Sequence, residues 1–229
     1  MLKERVRVYL AEWLGTAAIT TAVIGSGRMA GGLTRDIALS LLLNHISTIL
    51  VLGLSIWAFA PISGAHFNPA VTLVMAVKGY IDRGQATMFV VAQVLGALCG
   101  AVVANLMYQT PVVSISHTTR GGFGQILGEV VATAGLLFVI LVAIQRSAQH
   151  LLPLLVPAWI GTALLFTSST AFANPAITVG RVFSDSFAGI APQSLIPFLI
   201  AQFGGAALGI GMSRIFTKLR EDSHVVEQR

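Results

Sequence analysis

The sequence predicts an all-α membrane protein with six transmembrane helices and two re-entrant half-helices, arranged as an inverted repeat. Composition is the first reason: 55% of the 229 residues are hydrophobic and only 10% are charged, which is more apolar surface than a soluble domain of this length buries. The second is the triplet Asn-Pro-Ala, which occurs at 68–70 and again at 174–176. The third is a set of short motifs that recur at matching places in the two halves.

Six apolar segments approach the roughly 20 residues that a helix needs to cross a bilayer. Their limits are 8–27, 37–60, 84–107, 124–145, 152–170 and 194–217. Two shorter segments, 68–78 and 174–183, each follow a loop that contains Gly, Ser or Thr. Such half-length pieces are expected where irregular backbone lines a cavity within the membrane. We expect one domain over 1–229, with a solvated cytoplasmic tail at 221–229.

Basic residues are distributed unequally between the two sides. Six crossings place both termini on one side, and this side carries ten Lys and Arg against four on the other. The positive-inside rule therefore predicts cytoplasmic termini. The net charge of +5 comes from residues that flank the spans, so nucleic acid is not an expected partner.

Each Asn-Pro-Ala triplet predicts the start of a helix. Proline is favoured at the first helical position, and an asparagine before it can cap free backbone N–H groups. If both half-helices begin near the midplane, their positive dipole ends converge and two side-chain amides can face a lumen. These pore residues are Asn68, Pro69, Ala70, Asn174, Pro175 and Ala176.

The repeat motifs place a glutamate at the same position of two spans. Glu12 to Thr16 in the first span matches Glu129 to Thr133 in the fourth. Because each half has three spans, the halves at about 8–107 and 124–217 are inverted relative to each other. Carboxylates within a membrane usually have a partner, and we expect both to hold a re-entrant loop. For Glu12 an alternative is a side chain that reaches interfacial water. We interpret Gln93 and Gln202 as close helix packing.

Taken together, these residues resemble the aquaporin and aquaglyceroporin family, also called the major intrinsic proteins. The resemblance is carried by Ser63-Gly-Ala-His-Phe-Asn-Pro-Ala-Val-Thr72, the second triplet and the paired Glu and Ala-Gln motifs, and it covers about 8–217. It implies a right-handed six-helix bundle, a pore in each subunit of a homotetramer, and passive transport. It also implies that His66 lines the cytoplasmic half of the pore.

The resemblance implies a selectivity filter in which this chain departs from the family pattern. An arginine usually follows the second triplet, whereas Ile177 stands here. Counting back without gaps from Asn174 gives Thr162 and Ala171 as filter positions. Counting from Asn68 gives Thr48, with Leu52 one turn away as an alternative; we favour Thr48. Such a filter would be wide, weakly polar and uncharged, so it should pass solutes larger than water.

The composition of this filter is similar to the bacterial branch associated with arsenic resistance, which implies location in a bacterial inner membrane. The expected solutes are metalloid hydroxides such as arsenite and methylated arsenicals, then glycerol-like polyols, with water. Alternatives are an ordinary water or glycerol facilitator and an ion-coupled transporter. Arg181 lies one turn beyond Ile177 and could face the vestibule, tethered by Asp185, or be tied to loop carbonyls away from the lumen. Motifs for an enzyme, a metal or a cofactor are not expected.

Overall fold

The computed structural model describes residues 2–227, with side chains described for 4–216. The eight α-helices within this part of the chain are α1 Leu2–Leu33, α2 Ile37–Ser63, α3 Pro69–Val77, α4 Arg83–Met107, α5 Phe123–Gln145, α6 Leu152–Phe166, α7 Pro175–Val182 and α8 Pro192–Glu227. A 3₁₀ turn, Gln149–Leu151, precedes α6. Among the described residues, six helical segments are long and apolar enough to cross a membrane. The predicted all-α class with six spans and two short helices is confirmed.

The helix limits differ from the predicted spans at several ends. The first helix continues to Leu33 and the last to Glu227, whereas the fifth span ends at Phe166 and not at 170. Thr167 has an extended backbone conformation, and residues 167–174 form the loop that re-enters the membrane. The side chains of the predicted tail at 221–229 lie outside the described residues.

The two half-helices α3 and α7 contain nine and eight residues. At 1.5 Å per residue each is roughly 12–14 Å long, or less than half of a 30 Å hydrocarbon core. Each begins with Asn as the N-cap and Pro at the first position, and in both the asparagine side chain accepts a backbone N–H. The loops before them carry matching left-handed residues, Ala65 and Phe67 in one, Ala171 and Ala173 in the other.

The two halves pack in the same way. In the first half α1 lies between α2 and α4, and in the second half α5 lies between α6 and α8. Glycines allow the closest approaches. A Cβ at Gly100 of α4 would lie 2.4 Å from the Ala17 oxygen, and one at Gly209 of α8 would lie 2.6 Å from the Ala134 oxygen. Small residues at membrane helix crossings permit this approach of two backbones.

The close packing of α5 against α8 predicts that alanine substitutions at two glycines of α8 have different effects on stability. Gly209→Ala should destabilise the protein by up to about 2 kcal/mol, since overpacking against a backbone oxygen costs about 1–3 kcal/mol and helix propensity returns roughly 1 kcal/mol. Gly211→Ala should be neutral or stabilising, because no atom lies within 4 Å of the added carbon. Thermal unfolding of the detergent-solubilised variants measures both. Equal midpoints for the two variants would contradict the described packing of α5 against α8.

Candidate functional site: a central pore

The two Asn-Pro-Ala asparagines meet at the centre of the protein and hold each other's loop. The Nδ2 of Asn68 donates to the Ala173 carbonyl at 2.7 Å, and the Nδ2 of Asn174 donates to the Phe67 carbonyl at 2.8 Å. Their Oδ1 atoms accept from Ala70 N at 2.9 Å and Ala176 N at 3.1 Å. Each side chain therefore caps its own half-helix and cross-links it to the other.

This arrangement leaves one N–H of each amide for a solute. A side-chain amide has two donor hydrogens, and one of each pair is taken by the opposite loop. Asn68 and Asn174 also line the central cavity, with 5% and 8% of their surfaces exposed. The two remaining donors stand at the N-termini of two half-helices, where the positive dipole ends favour an electron-rich oxygen.

Two buried glutamates hold the irregular loops. Glu12 accepts from the backbone N–H of His66 at 3.0 Å and of Phe67 at 2.7 Å. Glu129 accepts from Phe172 N at 2.8 Å and Ala173 N at 2.9 Å. Both side chains are fully buried, so Glu12 does not reach interfacial water. The carboxylates pair backbone donors that left-handed loop residues leave without a helix or strand partner.

The glutamines of α4 and α8 are part of the same network, so they do more than the close helix packing expected from the sequence. Gln93 Nε2 donates to Glu12 at 2.8 Å and to Thr72 Oγ1 at 2.9 Å. Gln202 Nε2 donates to Glu129 at 2.6 Å and to Thr178 Oγ1 at 3.0 Å. The repeated Ala-Gln motif in the sequence was the signal that could have identified them.

Thr72 orients the ring of His66, which lines the cavity. The Nδ1 of His66 lies 3.2 Å from Thr72 Oγ1. Since that oxygen already accepts from Gln93, the hydroxyl hydrogen is available to donate to Nδ1. A neutral imidazole then carries its proton on Nε2. His66 can thus offer a further N–H donor on the α3 side of the two asparagines.

The cavity itself has a volume of about 410 Å³ and passes from the loop side of α3 to the end of α7. Its lining includes Tyr80, which follows α3, Gln149, which precedes α6, the two asparagines, and Asn44 of α2 and Arg181 in the last turn of α7. Most of the wall is aliphatic. Its aliphatic residues include Ile19, Val23, Leu52, Ile56, Val71, Leu136, Ile140, Val156, Ile160, Leu164 and Ile177.

Four of the filter candidates line this cavity, and one does not. Thr48, its alternative Leu52, Ala171 and Ile177 all contribute to the wall. Thr162 instead lies on the exposed face of α6, where its hydroxyl donates to the carbonyls of Ala158 and Trp159.

The ungapped count that selected Thr162 is therefore wrong for this helix. The residues that α6 directs to the cavity are Leu152, Val156, Ile160 and Leu164, each four residues from the next as expected of one helical face. The cavity wall that α6 contributes is therefore aliphatic, and less polar than a threonine would make it.

Arg181, in the last turn of α7, lines the cavity and is fixed in place. Its Nε donates to the Ala188 carbonyl, and its guanidinium carbon lies 3.3 Å from the centroid of the Phe172 ring. No hydrogen bond or ion pair joins Arg181 to Asp185 in the described part of the chain, so Asp185 is not its tether; the Asp185 carboxylate instead accepts from His117 N at 3.1 Å. The arginine is therefore both tied to a loop carbonyl and present at the lumen, which combines the two alternatives drawn from the sequence.

Comparisons with known proteins agree with this architecture. Residues 2–173 match the family model described as major intrinsic protein. The chain is 43% identical over 205 residues to aquaglyceroporin AqpS of Rhizobium meliloti (strain 1021), covering 90% of this chain and 88% of that protein. It is 32% identical over 228 residues to Aquaporin Z of Bradyrhizobium diazoefficiens, covering 88% and 89%.

The fold is also similar to a solved structure. The aquaglyceroporin from Plasmodium falciparum superimposes with a TM-score of 0.63 at 21% sequence identity, covering 93% of this chain and 95% of that one. The glutamate-braced half-helices, the paired asparagines and these matches lead to one assignment. This chain is a multi-pass membrane protein and belongs to the major intrinsic protein family.

Proposed function

We propose that this protein is a passive channel with a wide selectivity filter that lacks an arginine and conducts small uncharged solutes together with water. The observation that carries the proposal is Ile177, which follows the second Asn-Pro-Ala triplet and lines the cavity with 7% of its surface exposed. A cavity wall made mainly of aliphatic residues binds solutes weakly, and weak binding is what rapid conduction requires.

Glycerol-like polyols and neutral metalloid hydroxides suit this pore. Both present hydroxyl groups to the two asparagine donors and to His66, while their remaining surface can pass along the aliphatic wall. The name of the 43% identical relative, aquaglyceroporin, supports a polyol. An uncharged, weakly polar filter of Thr48, Ala171 and Ile177 is also compatible with arsenite and methylated arsenicals, with Ile160 and Leu164 in place of Thr162 on the α6 side.

The setting we propose is a homotetramer in a bacterial inner membrane with both termini in the cytoplasm. The orientation rests on the excess of basic residues on the terminal side.

Cations are excluded by the two half-helix N-termini, each equivalent to about half a positive charge, and by Arg181. We expect Arg181→Ala to raise sodium leak in proteoliposomes. An unchanged leak would remove Arg181 from this barrier.

Stopped-flow light scattering of proteoliposomes tests the proposed activity. We expect water, glycerol, arsenite and a methylated arsenical to enter down their own gradients, without saturation at millimolar solute and without dependence on proton or sodium gradients. Protein-free liposomes and an Asn68→Leu variant serve as controls. Uptake that saturates and stops when the ion gradient is removed would identify a coupled transporter. Water flux alone would identify an ordinary water channel.

A further inference from the structure

Arg181 presents unpaired donors to the pore. Its Nε is used by the Ala188 carbonyl and one face of its guanidinium lies on Phe172, which prevents the group from turning. Within residues 4–216, its two Nη groups have no hydrogen-bond partner. They are also absent from the set of unpaired polar atoms that protein atoms enclose completely. Since Arg181 lines the cavity, these nitrogens form a fixed donor fork at the lumen.

The positive charge at this mouth is not neutralised by a paired carboxylate in the described part of the chain. Glu129 is engaged by the loop backbone and Gln202, and Asp185 by His117. A second arginine adds to the field: the guanidinium carbon of Arg120 lies 5.0 Å from the centroid of the same Phe172 ring. Glu129 is close enough for its charge to act on both arginines, but one carboxylate against two largely buried guanidinium groups leaves excess positive charge. Such buried excess charge is costly, so an anion from solution would be favoured here.

Asn44 supplies an acceptor beside the arginine. Its Nδ2 donates to the Val23 carbonyl at 2.7 Å and to Ser26 Oγ at 2.9 Å. The carbonyl of Val23 can only accept, so the nitrogen must face it, and both amide hydrogens are used. The Oδ1 remains without a donor among the described residues, and Asn44 lines the cavity.

The loop residue Ala188 brings these two groups to the same place. A Cβ at Gly27 would lie 3.2 Å from the Ala188 Cβ and 3.4 Å from the Asn44 Nδ2, so Ala188 and Asn44 both border Gly27. The carbonyl of Ala188 is also the acceptor for Arg181. The outer mouth therefore carries a cationic donor fork and a neutral acceptor around one loop residue.

We propose that this mouth is a binding subsite for monoanionic oxyacids, in which Arg181 donates to the charged oxygens and Asn44 accepts from a remaining hydroxyl. Two parallel N–H donors of a guanidinium match two oxygens on one central atom. An oxyacid that keeps one hydroxyl also satisfies Asn44. A small apolar substituent on the same atom can point inward, where Val23 and Ile177 line the cavity. The inference rests on the proposed channel function and extends its solute class from neutral hydroxides to singly charged oxyacids.

Methylphosphonate and methanesulfonate provide the test, because they have similar size and the same methyl group but only the first retains a hydroxyl as a monoanion. Binding to the full-length protein in lipid nanodiscs is measured by ³¹P NMR of methylphosphonate, at a pH where its monoanion dominates. We expect methanesulfonate to displace it several-fold less effectively than unlabelled methylphosphonate does. Arg181→Gln should weaken methylphosphonate binding by at least about tenfold, as expected for loss of a hydrogen bond to a charged group.

Two further variants keep this test decisive. Arg181→Lys retains the charge but not the fork, and we expect its affinity to fall between those of wild type and Arg181→Gln. Arg35→Gln removes an exposed arginine that precedes α2 and should leave binding unchanged. No binding to wild type, or equal binding to Arg181→Gln, would overturn the subsite, and equal affinity for the two anions would overturn the role of Asn44.

Glycerol flux measured without anion on the same preparations separates the two proposals. If glycerol passes and methylphosphonate does not bind, the subsite is wrong and the channel stands. If methylphosphonate binds and glycerol does not pass, the subsite stands and the proposed solute range is wrong.

Discussion

Ile177→Arg is expected to convert the pore to one that passes water and rejects glycerol. The substitution introduces a long cationic side chain close to Asn174, in a cavity wall that is mainly aliphatic. The guanidinium would narrow the opening and replace a weakly interacting surface with fixed donors. We expect glycerol permeability in proteoliposomes to fall by at least about tenfold, equivalent to about 1.4 kcal/mol in the barrier, while water permeability is retained.

Ile177→Val is the matched control, because it keeps an aliphatic side chain at the same position and should conduct glycerol as wild type does. The backbone N–H of residue 177 donates to Asn174 Oδ1 at 3.3 Å, and neither substitution removes that bond. Undiminished glycerol flux in Ile177→Arg would show that the passage is limited elsewhere, and the proposed filter position would be wrong.

Glu129→Leu is expected to have the largest effect on stability. The carboxylate accepts from Phe172 N, Ala173 N and Gln202 Nε2 at 2.8, 2.9 and 2.6 Å. Leucine would leave these three buried donors unpaired, at about 1–3 kcal/mol for each. The loop before α7 would lose its support and the pore would lose its shape. We expect a strongly reduced thermal midpoint in detergent and no measurable glycerol flux.

Asp185→Leu provides the comparison for Glu129→Leu. Asp185 is exposed and accepts a single backbone N–H from His117, so its loss should lower the midpoint only slightly. A Glu129→Leu protein with the thermal midpoint and flux of wild type would contradict the bracing role of the carboxylate.

The spans and the half-helix starts could be predicted from sequence because they depend on local chemistry. Apolar length decides which segments cross, and Asn followed by Pro decides where α3 and α7 begin. The matching positions of Glu12 and Glu129 also indicated the repeat, since a carboxylate within a span is costly and two at equivalent positions imply a shared role. Three spans in each half then make the repeat inverted.

The filter was harder to predict because it depends on the conformation of a loop. Left-handed residues between α6 and α7, Thr170, Ala171 and Ala173, change the path of the chain. Counting residues through such a loop does not preserve helix register, which is why Ile160 and Leu164, and not Thr162, reach the cavity. Charge pairing in sequence similarly suggested Asp185 as the tether of Arg181, whereas a carbonyl and an aromatic ring hold it.

The most direct test of a wide filter without an arginine is the permeability of wild-type proteoliposomes to polyols of increasing length. Glycerol and the four-carbon polyol erythritol should both pass much faster than through protein-free liposomes, at rates that follow their gradients linearly. Water permeation with exclusion of both polyols would contradict the account.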